Sequence, residues 1–413
     1  MGVMAHADRL EKIDELAPQI LAGGDKAQEL RRLPDDIVSN LVKEGFFRFA
    51  LPEELGGDDA SSMQTVEILE AMASVDASVA WNVMLGSEIN AMAAGGMDRQ
   101  IAENVYLENP DVIMCGGGGP GSTPPRAERT DDGGIKVTGQ STFISGCYNA
   151  SYCFMGAPVM NGEEPELDKD GNPVFKMWFM PRDQWEIVDT WDVAGLRGSG
   201  SHDVKADGAY VRPEHVGVDL VTMPPNYDNP VFRMPVPLRL SYNKVAIALG
   251  VARGALGAFA DLAQDKVPMM SASTLKHRPI AQFRMGEAMA RYRAARAYVL
   301  DAMTKVEDEL RTGVERPGAQ TTENARLACV YGANECMKVV DSLHNTAGTS
   351  AMRTFSPLER KLRDSHACAT HRWVSHPLYE NLGKIYLGHE PEPEFVGLCW
   401  QQRLSDFCVG SGM

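Results

Sequence analysis

The sequence predicts a mainly α-helical protein with a central β domain. Three observations carry that class. Apolar residues recur at helical spacing from about residue 8 to 110 and again from about 236 to 390. Between them, from about 112 to 220, the period shortens and Gly and Asp turns multiply. No low-complexity linker separates the three stretches, so they read as parts of one body.

The first stretch opens with Asp8 as a candidate helix cap, Asp35 or Asp36 as a second and Ser61 or Ser62 as a third. The second helix is expected to end near Gly45. Leu51-Pro52-Glu53-Glu54-Leu55-Gly56-Gly57 then reads as a turn-rich connection. Val66, Leu69 and Ala73 share one face of the next helix, and Asp76 to Asn90 reads as a buried helix rich in Ala, Val and Met.

In the middle stretch, Gly116 to Pro120 is irregular. Asp132-Gly133-Gly134 is a hairpin signal before Ile135 to Gly139. Val174 to Met180, Glu186 to Val188 and a strand beginning at Gly208 are β-like. Many short strands suggest a small barrel or sandwich.

In the last stretch, small residues crowd 246–258, which predicts a helix packed tightly against its neighbours. A long helix is expected over about 279–310 and another from Thr321 or Thr322. Asp364 to Glu380 is expected to start helical and to be perturbed at His376-Pro377. The predicted boundaries are an N-terminal helical domain at 1–113, a β domain at 114–232, a helical bundle at 233–390 and a tail at 391–413.

Composition narrows the function. A formal charge of -16 disfavours nucleic acid and anionic membrane surfaces as partners. No run of 18 apolar residues predicts a membrane span, and Met1 to Leu10 lacks the apolar core of a secretory signal, so a cytoplasmic location is expected. The eight cysteines form no C-x-x-C and no set with zinc spacing, so no metal site is expected. There is no G-x-G-x-x-G unit, which disfavours a Rossmann domain.

Three segments can carry chemistry. Phe143-Ile144-Ser145-Gly146-Cys147 follows the hairpin and reads either as a plain strand end or as a wall against a bound ring system. Trp191 to Ser201 holds Gly195, Gly198 and Gly200, with a flat indole at Trp191 and hydroxyls at Ser199 and Ser201. It is either a glycine-rich connection or a loop that approaches a ligand closely. Arg353 to His376 is dense in reactive side chains, including Arg360, Arg363, Asp364, His366, His371 and His376. If the helix ran on, His371 would share a face with Asp364.

Residues 51–57, Phe143 to Gly146, Trp191 to Val204 and Arg363-Asp364, in a helices–barrel–helices order, resemble the acyl-CoA dehydrogenase superfamily over nearly the whole chain. Ala347-Gly348, Pro357 to Arg360, Arg363-Asp364 and His371 resemble its flavin-dependent monooxygenase branch, which includes phenol, steroid-ring and dibenzothiophene oxygenases. The resemblance implies an acyl-CoA dehydrogenase-like fold with an N-terminal helical domain, a small β-barrel and a C-terminal four-helix bundle. The superfamily's dehydrogenases use a glutamate base at positions that fall here on Arg372 and, approximately, Asn243. Neither can remove an acyl α-proton.

The resemblance therefore implies a reduced-flavin-dependent monooxygenase. It would insert one oxygen atom from O2 into an aromatic, polycyclic or heteroatom-containing molecule through a C4a-(hydro)peroxyflavin. An acyl-CoA dehydrogenase or oxidase is the alternative. The implied cofactor is reduced FMN or FAD, supplied by a separate NAD(P)H:flavin reductase. By resemblance, Ser145, Gly146, Trp191, Ser199, Ser201 and Arg363 would contact flavin, with Ser145 also catalytic. Arg278 and Gln282 would reach its phosphate across a subunit interface. His371 would orient or deprotonate substrate, or protonate the leaving oxygen. Trp81, Met84, Glu88 and Phe355 would line the substrate pocket. Glu88 stands where related phenol hydroxylases place a histidine, and it either meets substrate or pairs with a bundle neighbour. A homotetramer is implied, with Phe395, Trp400 and Phe407 in the tail docking on a partner subunit.

Overall fold

The computed structural model describes residues 4–169, 171–218 and 226–392. The tail residues Phe395, Trp400 and Phe407 lie outside the described residues. Helices α1 (His6–Leu30), α2 (Asp35–Lys43), α3 (Ser62–Val75), α4 (Ala77–Gly96) and α5 (Arg99–Leu107) come first. Ser61 caps α3 in a reciprocal capping box with Gln64, and Asp76 caps α4 through Val79 N–H. The expected aspartate caps of the first two helices fall inside them instead. Asp8, Asp35 and Asp36 occupy first turns, where their charge favours the positive helix end, while Ala5 and Pro34 hold the cap positions.

Nine strands follow: β1 (Met114–Gly116), β2 (Gly119–Pro120), β3 (Arg126–Arg129), β4 (Ile135–Ile144), β5 (Tyr152–Asn161), β6 (Glu164–Pro165), β7 (Phe175–Pro181), β8 (Glu186–Val188) and β9 (His202–Val211). They form a curled half-barrel in the order β1-β5-β3-β4-β9-β8, with β2 on β4 and with β6 and β7 on β5. The strand expected to begin at Gly208 is the end of β9, and Gly208 sits where the β4–β9 ladder shifts register. A second shift, between Ser141 and Ile144, displaces Phe143 from the ladder.

The chain returns to helix in α6 (Val236–Asp265), α7 (Pro279–Arg311), α8 (Ala319–Ala347), α9 (Pro357–Ala369) and α10 (Leu378–Tyr386). α6 is the spine, packed against α3, α7, α8 and α9. Its best 18-residue window has a mean hydropathy of 1.6, long and apolar enough to cross a membrane, yet the helix is mostly buried within the bundle. The small residues explain why it can be. A Cβ on Gly250 would stand 2.5 Å from the Glu70 carbonyl oxygen, and one on Gly254 2.3 Å from that of Ser74. Bulkier residues would force α3 away and open the core.

Candidate active site

The β4 bulge, the loop after β8, helix α4 and the turn after α9 converge on one small polar cluster. The Trp81 indole N–H donates to Ser145 Oγ at 3.1 Å. Ser145 Oγ and Ser201 Oγ are 2.7 Å apart, as are Ser201 Oγ and Ser199 Oγ. All four residues are buried. Gly146 N–H donates to the Ser199 carbonyl, which ties the strand end to the loop.

The approach to this cluster is aromatic. Phe143 carries φ +61° and leaves its ring 63% exposed, edge-on to Trp191 at 6.0 Å between centroids. An aromatic residue in the left-handed region is strained, and the bulge holds it there. Trp191 is half-buried and donates its indole N–H to the Leu196 carbonyl.

The glycines of 191–201 lie in close contact with neighbouring helices. A Cβ on Gly195 would lie 2.1 Å from the Arg363 carbonyl oxygen. One on Gly198 would lie 2.6 Å from Ala27 Cβ. Gly200, at φ +59°, turns the chain against Arg31 and Arg32. These glycines let the loop sit directly on α9, α1 and α4, so close protein packing already accounts for them.

Asp364 and Arg363 hold that loop down. Asp364 Oδ1 accepts from Leu196 N–H at 2.7 Å. Burial, and then the neighbouring Asp76, raise the Asp364 carboxyl to about 6 despite Arg360 and Lys361 nearby. Arg363 forks onto Glu359 at 2.7 and 2.8 Å and donates to the Ala194 carbonyl. With a carboxylate and a carbonyl adjacent, the guanidinium is satisfied where it stands.

α9 ends at Ala369, so His371 lies in a turn and the helical register with Asp364 does not apply. Its ring meets Trp81 edge-on at 5.5 Å. Burial, assisted by the Lys244 charge, pushes the imidazole down to about 3. Trp373 N–H points at Nδ1 at 3.4 Å, an arrangement that leaves the proton of the neutral ring on Nε2.

Trp81, Met84 and Glu88 form one stripe of α4, at i, i+3 and i+7. Glu88 turns to α6. Lys244 Nζ reaches Glu88 Oε1 at 2.5 Å, and Asn243 Nδ2 donates to Glu88 Oε2 at 2.7 Å. Both ionic side chains are 2% exposed. Burial lowers the Lys244 ammonium, and Glu88 opposes that shift. Of the two readings of Glu88, the paired one describes its bonds. Its nearness to Asn243 also brings a carboxylate beside a position where the dehydrogenases keep their base, but this one is committed to Lys244.

The remaining expected residues lie apart from the cluster. Arg278 is exposed just before α7 and donates to Ser271 Oγ at 3.1 Å, while Gln282 donates to the Lys276 carbonyl at 3.0 Å. Phe355 is 79% exposed in the turn before α9, under the Arg353 guanidinium. Sequence reasoning passed over Lys244 and Arg239. The available signal was charge at 239 and 244 in the first turns of a helix rich in apolar and small residues, where a buried charge must be paired or used.

The donor set suits a flavin. Exposed aromatic faces at Phe143 and half-exposed Trp191 fit a planar ring, and the Ser145–Ser201–Ser199 hydroxyls behind them fit its polar edge.

The chain matches known families and proteins along most of its length. Residues 13–104 match the acyl-CoA dehydrogenase N-terminal domain, and residues 243–376 match the acyl-CoA dehydrogenase C-terminal domain. Indole-3-acetate monooxygenase of Acinetobacter baumannii is 30% identical over 362 residues, covering 87% of this chain and 89% of that protein. Flavin-dependent monooxygenase, oxygenase subunit HsaA, of Rhodococcus jostii is 28% identical over 396 residues, covering 94% and 96%. The crystal structure of 3-HSA hydroxylase from Rhodococcus sp. RHA1 superposes with a TM-score of 0.81 at 26% identity, covering 93% of this chain and 98% of that one.

Proposed function

This chain belongs to the two-component flavin-dependent monooxygenases of acyl-CoA dehydrogenase-like fold, which use O2, and from that premise we propose the way its own residues serve the reaction. It is the oxygenase component, fed by a separate reductase. We infer that it transfers one oxygen atom of O2 to an aromatic or polycyclic small molecule held between Trp81 and His371. One observation carries the oxygenase reading: at the dehydrogenase base positions stand Arg372 and Asn243, and the carboxylate beside Asn243 is engaged by Lys244.

Reduced flavin, FMN or FAD, supplies the activation of dioxygen when it is bound. The chain's part is to hold, orient and keep water out. Ser145, Ser201 and Ser199 form a linked hydroxyl row whose first member is fixed by Trp81, so one rotamer change propagates along the row. Phe143 and Trp191, edge-on to each other, would offer the flavin ring an aromatic surface. Gly146 keeps the row attached to strand β4. Arg363 acts on the site through the loop it anchors.

His371 is neutral throughout the physiological range, since its imidazole protonates only near 3. That supports orientation over proton removal: a base so weak takes no phenol proton in the resting state, while Nε2–H can donate to a substrate oxygen. Trp81 and Met84 supply the apolar wall. Arg278, Gln282 and Phe355 are exposed on one protomer, which fits completion of the site by a second subunit in a homotetramer. Dependence on an NAD(P)H-consuming reductase favours the cytoplasm.

The test combines the full chain with chemically reduced FMN or FAD, O2 and a panel of indole-3-acetate, p-hydroxyphenylacetate and a fused-ring phenol. A product heavier by one oxygen is expected. His371→Ala should lower product per flavin oxidised by about tenfold or more, with His371→Gln intermediate because it keeps a donor. Unchanged coupled turnover in His371→Ala defeats the role given to that residue. Reduction of bound oxidised flavin by an acyl-CoA defeats the oxygenase reading.

A further inference from the structure

His202 is a buried titratable group that the proposed reaction does not use. It opens β9 next to Ser201 and pairs across the ladder with Ile144, immediately after the shift that displaces Phe143. Its ring ties three stretches of chain together. The backbone N–H groups of Thr190 and Trp191 both donate to Nδ1, each at 3.2 Å. Two donors converging on one nitrogen make it an acceptor, so the proton of the neutral ring lies on Nε2. Nε2–H donates to the Arg31 carbonyl at the end of α1, at 3.3 Å. The imidazole therefore pins the backbone of Trp191, whose indole stands edge-on to Phe143.

A second partner stands beside the same nitrogen. Asp189 Oδ1 lies 3.3 Å from Nδ1, while Arg31 holds Asp189 Oδ2 at 2.6 Å. An imidazolium carries a hydrogen on Nδ1. It can no longer accept from Thr190 or Trp191, but it can donate to Asp189. The other charged and titratable groups around the ring are engaged elsewhere. Asp203 accepts from Gln140 and from Thr190 Oγ1, and Asp192 pairs with Arg197. Tyr148 meets the imidazole edge-on at 5.3 Å, with the Arg32 guanidinium over the Tyr148 ring, and the Cys147 thiol donates to the Gly200 carbonyl. Burial disfavours the charged imidazole, Asp189 favours it, and burial prevails, so His202 protonates below the ordinary 6.5. At neutral pH the acceptor arrangement is the occupied one.

We propose that His202 is a positioning residue for flavin: its neutral ring fixes the Trp191 face offered to the flavin, and on taking a proton it exchanges the Thr190 and Trp191 amides for Asp189 and releases that face. The step moves one proton from solvent to Nδ1 and breaks no covalent bond. The consequence for flavin rests on the oxygenase reading. The pinning of the loop does not.

The experiment compares the full chain as wild type, His202→Asn and His202→Leu from about pH 4.5 to about pH 8, a range that spans the titration of a buried imidazole. Asn keeps an acceptor near the place of Nδ1 and takes no proton, whereas Leu keeps bulk and offers no acceptor. Hydrogen exchange of residues 189–192, read by mass spectrometry without flavin and compared between variants at the same pH, reports the pinning. At about pH 8 wild type and His202→Asn should be protected there and His202→Leu open. Toward the acid end wild type should open and His202→Asn should stay protected. Calorimetry with chemically reduced FMN or FAD in the absence of oxygen reports the consequence. At about pH 8 His202→Leu should bind about tenfold more weakly than wild type, because two N–H donors have lost their acceptor. The affinity of His202→Asn relative to wild type should grow as pH falls, by at most about tenfold per pH unit, the limit for one proton. Taking the ratio cancels the ionisations of the flavin itself.

Protection with the same pH dependence in wild type and His202→Asn overturns the proposal, whether or not His202→Leu folds. So does an affinity ratio that stays constant with pH while residues 189–192 open. A wild type that binds neither flavin at any pH, yet opens this segment on acidification, defeats the oxygenase reading and leaves the pinning standing. Oxygenated product from reduced FMN and O2, with no difference in protection among the three chains, defeats the role of His202 and leaves the oxygenase reading.

Discussion

Replacing Lys244 by Met tests how the buried pair under the pocket is balanced. The Lys244–Glu88 contact is 2.5 Å, and both side chains are 2% exposed. Lys244→Met leaves Glu88 with the Asn243 amide as its near partner, at 2.7 Å. Removing one member of a buried ion pair costs about 3–5 kcal/mol, because the surviving charge is desolvated and unmatched. Here the lower end is expected, about 3 kcal/mol, since the Asn243 amide still donates to the orphaned carboxylate. The double variant Lys244→Met/Glu88→Leu removes both charges and should return to within about 1 kcal/mol of wild type or exceed it. The assay is equilibrium denaturation of wild type, both single variants and the double, closed as a double-mutant cycle. A loss below about 1 kcal/mol in Lys244→Met refutes the reasoning, and so does a double variant no more stable than the single.

Two further outcomes follow from the loop clamp. The folded Asp364 carboxyl sits at about 6, above the ordinary 3.8, so the folded state holds its proton more tightly and ionisation opposes folding. That cost is absent below about pH 4 and complete above about pH 6, near 3 kcal/mol. Asp364→Asn keeps an acceptor for Leu196 N–H, so its denaturation midpoint relative to wild type should improve between pH 4 and pH 8. A pH-independent difference sinks the assignment to burial. Gly195→Ala pushes a Cβ to 2.1 Å from the Arg363 carbonyl oxygen. It should cost about 3 kcal/mol or more and weaken binding of reduced flavin as the loop lifts from α9. A wild-type midpoint and wild-type flavin affinity would show that the loop does not depend on this contact.

The order of helices, strands and helices was readable from the sequence because it rests on local signals. Apolar period, the Ser61–Gln64 capping box and the turn at Asp132-Gly133-Gly134 act within a few residues of the chain. So did the absence of a carboxylate at Arg372 and Asn243, which is a fact of residue type. Other features depend on partners distant in sequence. Glu88 and Lys244 are 156 residues apart, and either could have met substrate until the approach of α4 to α6 paired them. His371 had the right chemistry on paper, but burial beside Lys244 makes it a far weaker base than an ordinary imidazole, and the end of α9 at Ala369 takes it out of helical register with Asp364. The glycines of 195–200 read either as a plain connection or as a close approach to a ligand, and only the fold shows how closely they lie against three helices. A side chain's own chemistry is written in its identity, whereas its protonation, its partners and the lack of them follow from desolvation, which is a property of the packed fold.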